Sequence, residues 1–256
     1  MVARLILLMA LLPILASDLR AESAGRSVST GVVTAQRVVS IATKRPERIV
    51  RIHVDRGDRV EAGALLIETN AAELLADRAA ADAELGSARV ARDYRRRDAD
   101  RLERFGKSES ISQDRLDEAR YGLAAAEQRI KLAEAQLQKI DALLAETRLT
   151  APFSGIVTER RAEPGQLTQS GEALLRLEDH GRLELHTRIK ELDVPRVRIG
   201  DPVQVTVDAL GGVPLQGTVE AVIPSGDHDH TFLVEIALPR QQGLYPGMFG
   251  KAVFGD

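Results

Sequence analysis

The chain has 256 residues and a net charge of −3, with an isoelectric point near 6.0, so no global basic field marks it as a nucleic-acid binder. Aromatic residues make up only 3% of the chain and tryptophan is absent, which also weighs against a surface that stacks bases. The absence of cysteine excludes disulfides, thiolate metal sites and cysteine nucleophiles. The length is sufficient for about two or three small domains.

The first residues predict a secretory signal peptide at residues 1–21. Arg4 precedes an almost uninterrupted apolar run, Leu5–Leu15. This run has the length of a signal-peptide core and is well short of the roughly 20 residues that span a bilayer. We expect cleavage after Ala16 or Ala21, and an uncleaved anchor is the alternative. The sequence therefore predicts an exported protein.

Two β-rich segments of similar design, Ile49–Asn70 and Leu149–Glu178, lie on either side of a proline-free stretch. Each runs in the order strand, glycine turn, short strand, second glycine and apolar strand. This half-repeat predicts two quasi-symmetric halves that pack face to face as a small β-sandwich. The corresponding positions are Gly57 and Gly165, Gly63 and Gly171, and Leu65-Leu66 and Leu174-Leu175.

The stretch between these segments predicts two helices, about Ala71–Phe105 and Ser112–Glu146, with Asn70 as the cap of the first. Each would be roughly 50 Å long at 1.5 Å per residue, and the short break at Gly106–Ser110 implies an antiparallel hairpin. The first helix has an alanine-rich seam that arginines partly fill. We expect the second helix to supply most of the apolar seam, because its apolar residues alternate by three and four as in a coiled coil. These residues are Leu116, Ala119, Leu123, Ala126, Ile130, Ala133, Leu137, Ile140 and Leu144.

From Leu183 onward the pattern is all β. Apolar residues alternate with polar ones, as at Val203, Val205 and Val207, and glycine or proline turns separate the runs. Short strands at this spacing predict a closed antiparallel barrel. Glu191–Val197 is predicted to form one short helix across a barrel end.

One segment, residues 227–230 (Asp-His-Asp-His), has the composition of a metal site. If it were a strand, His228 and His230 would share a face and could converge on Zn, Cu or Ni. We favour a polar loop, and so expect no metal here. His180 and His186 lack suitable partners nearby in the sequence. Because no catalytic arrangement is visible, we do not expect an enzyme.

Three short motifs and their order along the chain resemble those of a known protein family. They are VDRGDRVEAGAL at Val54–Leu65, APFSGIV at Ala151–Val157 followed by PGQ at residues 164–166, and YPGM at Tyr245–Met248. With a coiled-coil insert between the first two, this order resembles the membrane fusion protein family. These proteins are the periplasmic adaptors of bacterial tripartite efflux and secretion systems. The first two motifs are similar to the family's lipoyl-type half-motifs, and the third to the turn before its last barrel strand.

The resemblance implies an elongated, multi-domain α+β fold. A lipoyl-like β-sandwich would be split by an antiparallel α-helical coiled-coil hairpin and followed by a β-barrel. Because the chain stops at Asp256, directly after the barrel, we expect the membrane-proximal domain of many efflux adaptors to be missing or vestigial. The helical hairpin replaces the turn that carries the modified lysine of true lipoyl domains, so neither lipoyl nor biotin attachment nor any other cofactor is expected. The implied boundaries are 38–70 with 147–178 for the lipoyl-like domain, 71–146 for the hairpin, 179–256 for the barrel, and 22–37 for a strand that joins the barrel.

The resemblance further implies a periplasmic adaptor subunit of a tripartite efflux pump of the resistance-nodulation-division type, associated with the inner membrane. Its partners would be an inner-membrane transporter, an outer-membrane channel and further copies in a ring such as a hexamer, with no nucleic acid. In efflux adaptors the hairpin tip contacts the channel through a spaced Arg, Leu and Ser. Here Arg101 and Ser112 occupy the Arg and Ser positions, and Phe105 stands where Leu is usual.

Simpler interpretations of these features remain open. Arg101 could be a solvated helix residue, and Ser112 an ordinary helix cap. At the level of function, the alternatives are an adaptor of an ATP-driven secretion or efflux system and an exported metal-binding protein that uses His228 and His230.

Overall fold

A computed structural model of the chain describes residues 27–105 and 112–255. They fall into two compact units. The barrel unit combines the described residues up to Val38 with those from Glu178 onward, and the helical-arm unit is Val39–Leu177. The predicted signal peptide and the predicted connection Gly106–Ser110 lie outside the described residues.

Strands make up the barrel unit, and strands and helices the helical-arm unit. In chain order the elements are β1 (Ser27–Ala35), β2 (Val38–Ala42), β3 (Ile49–Ile52), β4 (Arg59–Val60), β5 (Leu65–Thr69), α1 (Ala72–Phe105), α2 (Gln113–Glu146), β6 (Arg148–Thr150), β7 (Gly155–Arg160), β8 (Ala173–Glu178), β9 (Leu183–Lys190), β10 (Pro202–Val207), β11 (Pro214–Gly226), β12 (Thr231–Leu238) and β13 (Phe249–Phe254). Short 3-10 helices lie at Glu191–Arg196 and Asp208–Leu210.

A closed barrel forms the core of the barrel unit. In the part of the chain that the structure describes, it has six strands in the order β1, β13, β10, β11, β12 and β9, and β9 pairs back with β1. Every pair is antiparallel. Val203, Val205 and Val207 point inward and are at most 1% exposed, so the alternation correctly predicted the core face. The barrel prediction is confirmed, and the predicted short helix is the 3-10 helix Glu191–Arg196.

Strands β1 and β9 approach each other closely at Gly31. A Cβ atom on this glycine would lie 2.3 Å from the carbonyl oxygen of His186, so any larger residue would push the two backbones apart. The absence of a side chain here keeps β9 in its place in the barrel wall.

Helices α1 and α2 form a hairpin, here called the helical pair. All nine residues of the predicted repeat in α2 are buried or half-buried, so the alternation by three and four correctly identified the inner face. As expected, α2 supplies more of the buried and half-buried apolar side chains, although more of the buried ones come from α1. Two helices alone cover only part of most side chains in the seam, so Leu116, Leu123 and Leu137 of α2 are half-buried. The fully buried residues are Ala81, Leu85, Ala88 and Ala99 in α1, and Ala133 and Ile140 in α2.

Ion pairs between the helices show their direction. Residues near the start of α1 pair with residues near the end of α2, and residues near the end of α1 pair with residues near the start of α2, as an antiparallel arrangement requires. The pairs are Arg78 with Asp141 (2.6 Å), Glu84 with Arg129 (3.0 Å), Arg89 with Glu134 (3.5 Å) and Glu103 with Arg120 (3.0 Å).

Each sheet of the helical-arm unit combines strands from before and after the helical pair. One sheet has the order β2, β8, β7, β4 and the other the order β3, β5, β6. Between them lies an apolar core that includes Ile49, Leu66, Val157 and Leu174, each at most 1% exposed. The start of α1 and the end of α2, here called the roots of the helical pair, are therefore both attached to the same β-structure.

The glycine turns of the two halves match in detail. Gly57 has φ +99° and Gly165 has φ +85°, a left-handed conformation that favours glycine. The N–H of Gly57 donates to the carbonyl of Val157, and the N–H of Gly165 donates to that of Ile49, both at 2.8 Å. The two donors, Gly57 and Gly165, are 108 residues apart, and so are the two acceptors, Ile49 and Val157. The half-repeat seen in the sequence is thus a repeat of hydrogen bonds.

The second pair of glycines follows the same rule. Gly63 (φ +82°) donates to the carbonyl of Ala151 at 2.7 Å, and Gly171 (φ +78°) donates to that of Thr43 at 2.9 Å. The offset is again 108, from 171 minus 63 and 151 minus 43. The predicted correspondence of the glycines is confirmed.

A backbone hydrogen bond joins the roots of the helical pair, which are the start of α1 and the end of α2. The N–H of Thr69 donates to the carbonyl of Thr147 at 2.9 Å, directly between the start of α1 and the end of α2. The Asn70 carboxamide oxygen accepts from the N–H of Ala72 at 3.1 Å, so Asn70 supports the start of α1 as predicted.

Candidate functional site

The predicted tip residues of α1 lie near its end. Arg101 and Phe105 are four residues apart, so they share one face of the helix. The Arg101 side chain is 61% exposed, and its guanidinium lies 2.5 Å from the Asp98 carboxylate one turn earlier. The Phe105 side chain ends the helix with half of its surface in solvent. The last turns of α1 thus present a cation and an aromatic ring together.

Ser112 lies directly before α2 and is exposed. Its carbonyl accepts from the N–H of Arg115 at 3.1 Å, but its side chain makes no capping hydrogen bond. Ser112 is therefore the cap by position, and its hydroxyl group is not used to close the first turn of α2.

The three predicted residues lie at the end of the helical pair that is remote from its roots. Glu103 pairs with Arg120 across the pair. Phe105 and Ser112 therefore lie beyond this contact, and Arg101 lies two residues before it. An arginine, an aromatic ring and a hydroxyl group on such an exposed end are suited to binding a protein surface, where Arg and aromatic anchors contribute most. Nothing in this group has the geometry of a catalytic arrangement.

His228 and His230 lie in a turn between β11 and β12, and not in a strand. His230 has φ +55°, so the shared strand face that would bring the two rings together does not exist. The strand interpretation of residues 227–230 was wrong, and the favoured loop is present. The Nδ1 atom of His230 is instead 3.7 Å from the Glu191 carboxylate.

The carboxylate of Asp227 is engaged in holding this turn together. It accepts from the N–H of Thr231 at 3.0 Å and from the N–H of Asp229 at 3.1 Å, and it forms an ion pair with Arg188. The hydrogen bond from Thr231 leads the causes that hold the pKa of Asp227 below its usual range. Asp227 is therefore an ionised structural group.

A different group of ligand-type side chains meets on the barrel. Strand β12 pairs with β9 so that Glu235 lies opposite His186, and Glu184 is two residues before His186 on the same face. The Nε2 atom of His186 lies 3.1 Å from Oε2 of Glu184 and 3.9 Å from Oε1 of Glu235. The expectation that His186 lacks suitable partners was therefore wrong. The sequence could have identified Glu184 as a partner of His186, because residues two apart in a predicted strand share a face. Glu235 could be identified as a partner only from the pairing register of β9 and β12.

Neither helix of the described chain carries a membrane-crossing segment. Within residues 27–105 and 112–255, no helix combines the length and the apolar character that a bilayer crossing needs.

Comparison with known proteins matches the barrel and most of the remaining chain. Residues 185–256 match the family model of the CusB-like β-barrel domain. The multidrug resistance protein MdtA of Cronobacter turicensis is 28% identical over 161 residues, which are 62% of this chain and 39% of MdtA. The nodulation protein NolF of Rhizobium meliloti is 24% identical over 240 residues, which are 93% of this chain and 64% of NolF. The chain spans less than two thirds of the length of either relative.

A solved structure has the same fold. The membrane fusion protein Spr0693 from Streptococcus pneumoniae R6 superimposes with a TM-score of 0.74, and the match covers 90% of this chain and 99% of that chain. The two sequences are 16% identical, so this likeness concerns the fold alone. The family model over the barrel and the two relatives agree with the resemblance to the membrane fusion protein family that the three sequence motifs and their order carry.

Proposed function

We propose that this protein is a periplasmic adaptor subunit of a tripartite efflux pump of the resistance-nodulation-division type. It would link an inner-membrane transporter to an outer-membrane channel and remain associated with the inner membrane. The observation that carries the proposal is that both helices are attached to sheets that contain strands from before α1 and from after α2. With 34 residues in each helix, the tip is held about 50 Å from a firm base. Such an arm acts mechanically and needs no catalytic group.

The finer architecture is part of the proposal. We interpret the two sheets as a lipoyl-like β-sandwich, residues 38–70 and 147–178, which is split by an antiparallel coiled coil at residues 71–146. The matched turns at Gly57 and Gly165 support the sandwich, and the three-four repeat of α2 supports the coiled coil.

The tip residues Arg101, Phe105 and Ser112 would contact the outer-membrane channel. Phe105 offers an exposed ring that gains contact area on binding, and Arg101 offers hydrogen-bond donors for a carboxylate or carbonyl of the partner. Because Arg101 lies against Asp98 in the free chain, the partner must supply a better acceptor than this half-buried carboxylate. We further propose that several copies form a ring, such as a hexamer, around the transported compound.

Crosslinking in cells tests the tip assignment. A photo-crosslinking amino acid at Phe105 or at Ser112 should trap an outer-membrane channel, because both positions lie at the end of the helical pair. Matched controls at Tyr94 and Leu132, which are 62% and 72% exposed but nearer the roots, should not trap it. Crosslinked products would be identified by mass spectrometry after purification from membranes. The tip assignment fails if a folded, expressed protein gives no channel product at positions 105 and 112, or gives as much at position 132.

Two alternatives use different partners or ligands. An adaptor of an ATP-driven secretion or efflux system would share this architecture, and identifying the transporter that copurifies from native membranes distinguishes it. An exported metal-binding protein that uses His228 and His230 has no support in the turn geometry, because His230 adopts a left-handed conformation that breaks the strand face.

A further inference from the structure

The outer face of the barrel carries three ligand-type side chains where β9 and β12 pair. On β9 the residues Leu183, Leu185 and Ile189 point into the apolar core, so the alternating positions Glu184 and His186 point outward. Glu235 on β12 lies opposite His186 in the register and shares this outer face. All three side chains are held by paired strands, which position a site more firmly than a loop does.

The spacing of the three ligand atoms suits one metal ion. One ligand atom from each residue lies within 4.8 Å of the other two. In a tetrahedral site with metal–ligand bonds near 2.1 Å, the ligand atoms are about 3.4 Å apart. The distances from His186 Nε2, 3.1 Å to Glu184 and 3.9 Å to Glu235, lie on either side of this value. The Glu235 side chain is 28% exposed, so it has room to turn toward the other two ligands.

The carboxylate of Glu184 is buried without any partner outside the group. Its side chain is 8% exposed, and its hydrogen bond goes to His186. Among the described residues, neither Glu184 nor Glu235 forms an ion pair with a lysine or arginine; each pairs only with His186. Burying a carboxylate is costly unless a cation or several donors compensate it.

The nearest cation along the same face of β9 is already engaged. Arg188 follows His186 by two residues, and its guanidinium pairs with Asp227 in the turn after β11. The two glutamates therefore face one imidazole with no arginine to balance them. A divalent cation would supply the missing positive charge.

We propose that Glu184, His186 and Glu235 bind one divalent transition-metal ion, with Zn²⁺ as the best match. Imidazole nitrogen and carboxylate oxygen are ordinary Zn²⁺ ligands, and the absence of thiolate or thioether sulfur from the group disfavours Cu⁺. Three protein ligands leave one position of a tetrahedral ion for water. In this site His186 binds the metal through Nε2 as a neutral imidazole with its proton on Nδ1, and the proton displaced from Nε2 passes to the solvent. The Glu184 carboxylate exchanges its contact with the ring for the metal. The site does not depend on the adaptor function.

Zn²⁺ titration of the full chain by calorimetry tests the site. Wild type should bind one Zn²⁺ per chain at micromolar free Zn²⁺ or below. Losing even an outer partner of a metal ligand costs about 10- to 100-fold in affinity, so His186→Gln and Glu235→Gln should each weaken binding at least tenfold. Glu235→Gln conserves shape at a partly exposed position, and unchanged circular dichroism and thermal unfolding without metal would verify its fold.

The double variant His228→Gln/His230→Gln is the matched control, because it removes two histidines from the neighbouring turn and none from the group. It should bind Zn²⁺ like wild type. In Co²⁺-loaded wild type, a visible absorption band of four-coordinate cobalt should appear, and it should disappear in Glu235→Gln. The proposal is overturned if wild type does not bind micromolar Zn²⁺, if His186→Gln and Glu235→Gln bind like wild type, or if only the double variant loses binding. A crosslinking failure at Phe105 and Ser112 would leave all of these results unchanged.

Discussion

The helical pair and the barrel are stabilised in opposite ways. The barrel closes around side chains such as Leu185, Val205 and Ile236, all fully buried. The helical pair has a narrow seam in which alanine provides most of the fully buried positions, and its ion pairs are about half exposed, as for Arg78 and Asp141. Burial of apolar surface is the dominant favourable term in folding, while exposed ion pairs contribute little. We conclude that buried apolar side chains make the barrel the more stable region. The stability of the helical pair depends on its narrow seam and on the attachment of its roots.

The difference follows from geometry. A closed barrel has no sheet edge, and each strand buries one whole face. Two helices alone bury one stripe each and leave the rest of their surface in water. The ion pairs across the helical pair therefore define which residues lie opposite each other more than they add to stability.

The largest expected effect comes from truncating a core leucine. Leu185→Ala should destabilise the barrel by about 3 kcal/mol, because it removes a fully buried side chain and leaves a cavity. The matched change Leu123→Ala in α2 should cost only about 1 kcal/mol, because that side chain is half-buried. Hydrogen exchange followed by mass spectrometry reports the opening free energy of peptides from each region separately. Equal costs at the two positions would contradict the contrast drawn between barrel and helical pair.

A smaller effect is expected at the ion pair between Arg37 and Asp179 in the barrel unit. Burial opposes ionisation of Asp179, but hydrogen bonds from Arg37 and from the N–H of Gly181 outweigh it, so the pKa of Asp179 lies below its usual value. Asp179→Asn should cost about 1–2 kcal/mol at neutral pH, since half of the Arg37 side chain is exposed and screened by solvent.

The stabilisation contributed by Asp179 should decrease as the pH is lowered. With its folded-state pKa lowered, Asp179 stabilises the protein fully above the unfolded-state pKa of about 3.9, and the contribution is lost as the pH falls through the folded-state pKa. Urea unfolding of wild type and Asp179→Asn at a series of pH values should show a gap that closes in acid. A gap that stays constant down to the lowest measurable pH would rule out this assignment.

The smallest effect is expected at the exposed pair of Arg78 and Asp141. A double-mutant cycle with alanine at both positions should give a coupling energy of about 0.2–0.5 kcal/mol that falls further in high salt. Urea unfolding in low and high salt measures it. A coupling above about 1 kcal/mol would mean that such pairs stabilise the helical pair after all.

Local patterns in the sequence were sufficient for the elements and for their inner faces. The repeat from Leu116 to Leu144 identified the inner face of α2 because a helix returns to the same side every three to four residues, whatever it packs against. The glycine turns were equally predictable, because the left-handed backbone at Gly57 and Gly165 favours glycine wherever such a turn occurs. The barrel followed from the period of two in its strands.

Contacts between distant residues could not be read from the sequence in this way. His228 and His230 looked like a metal pair only on the assumption of a strand, and the turn held by Asp227 separates their faces. Glu235 meets His186 because β12 pairs with β9 in one particular register, across a long interval of chain. Periodicity along the chain thus determined which side of each strand faces the core. Only the pairing of strands decided which outward side chains meet, because a shift of one residue would turn the whole strand over.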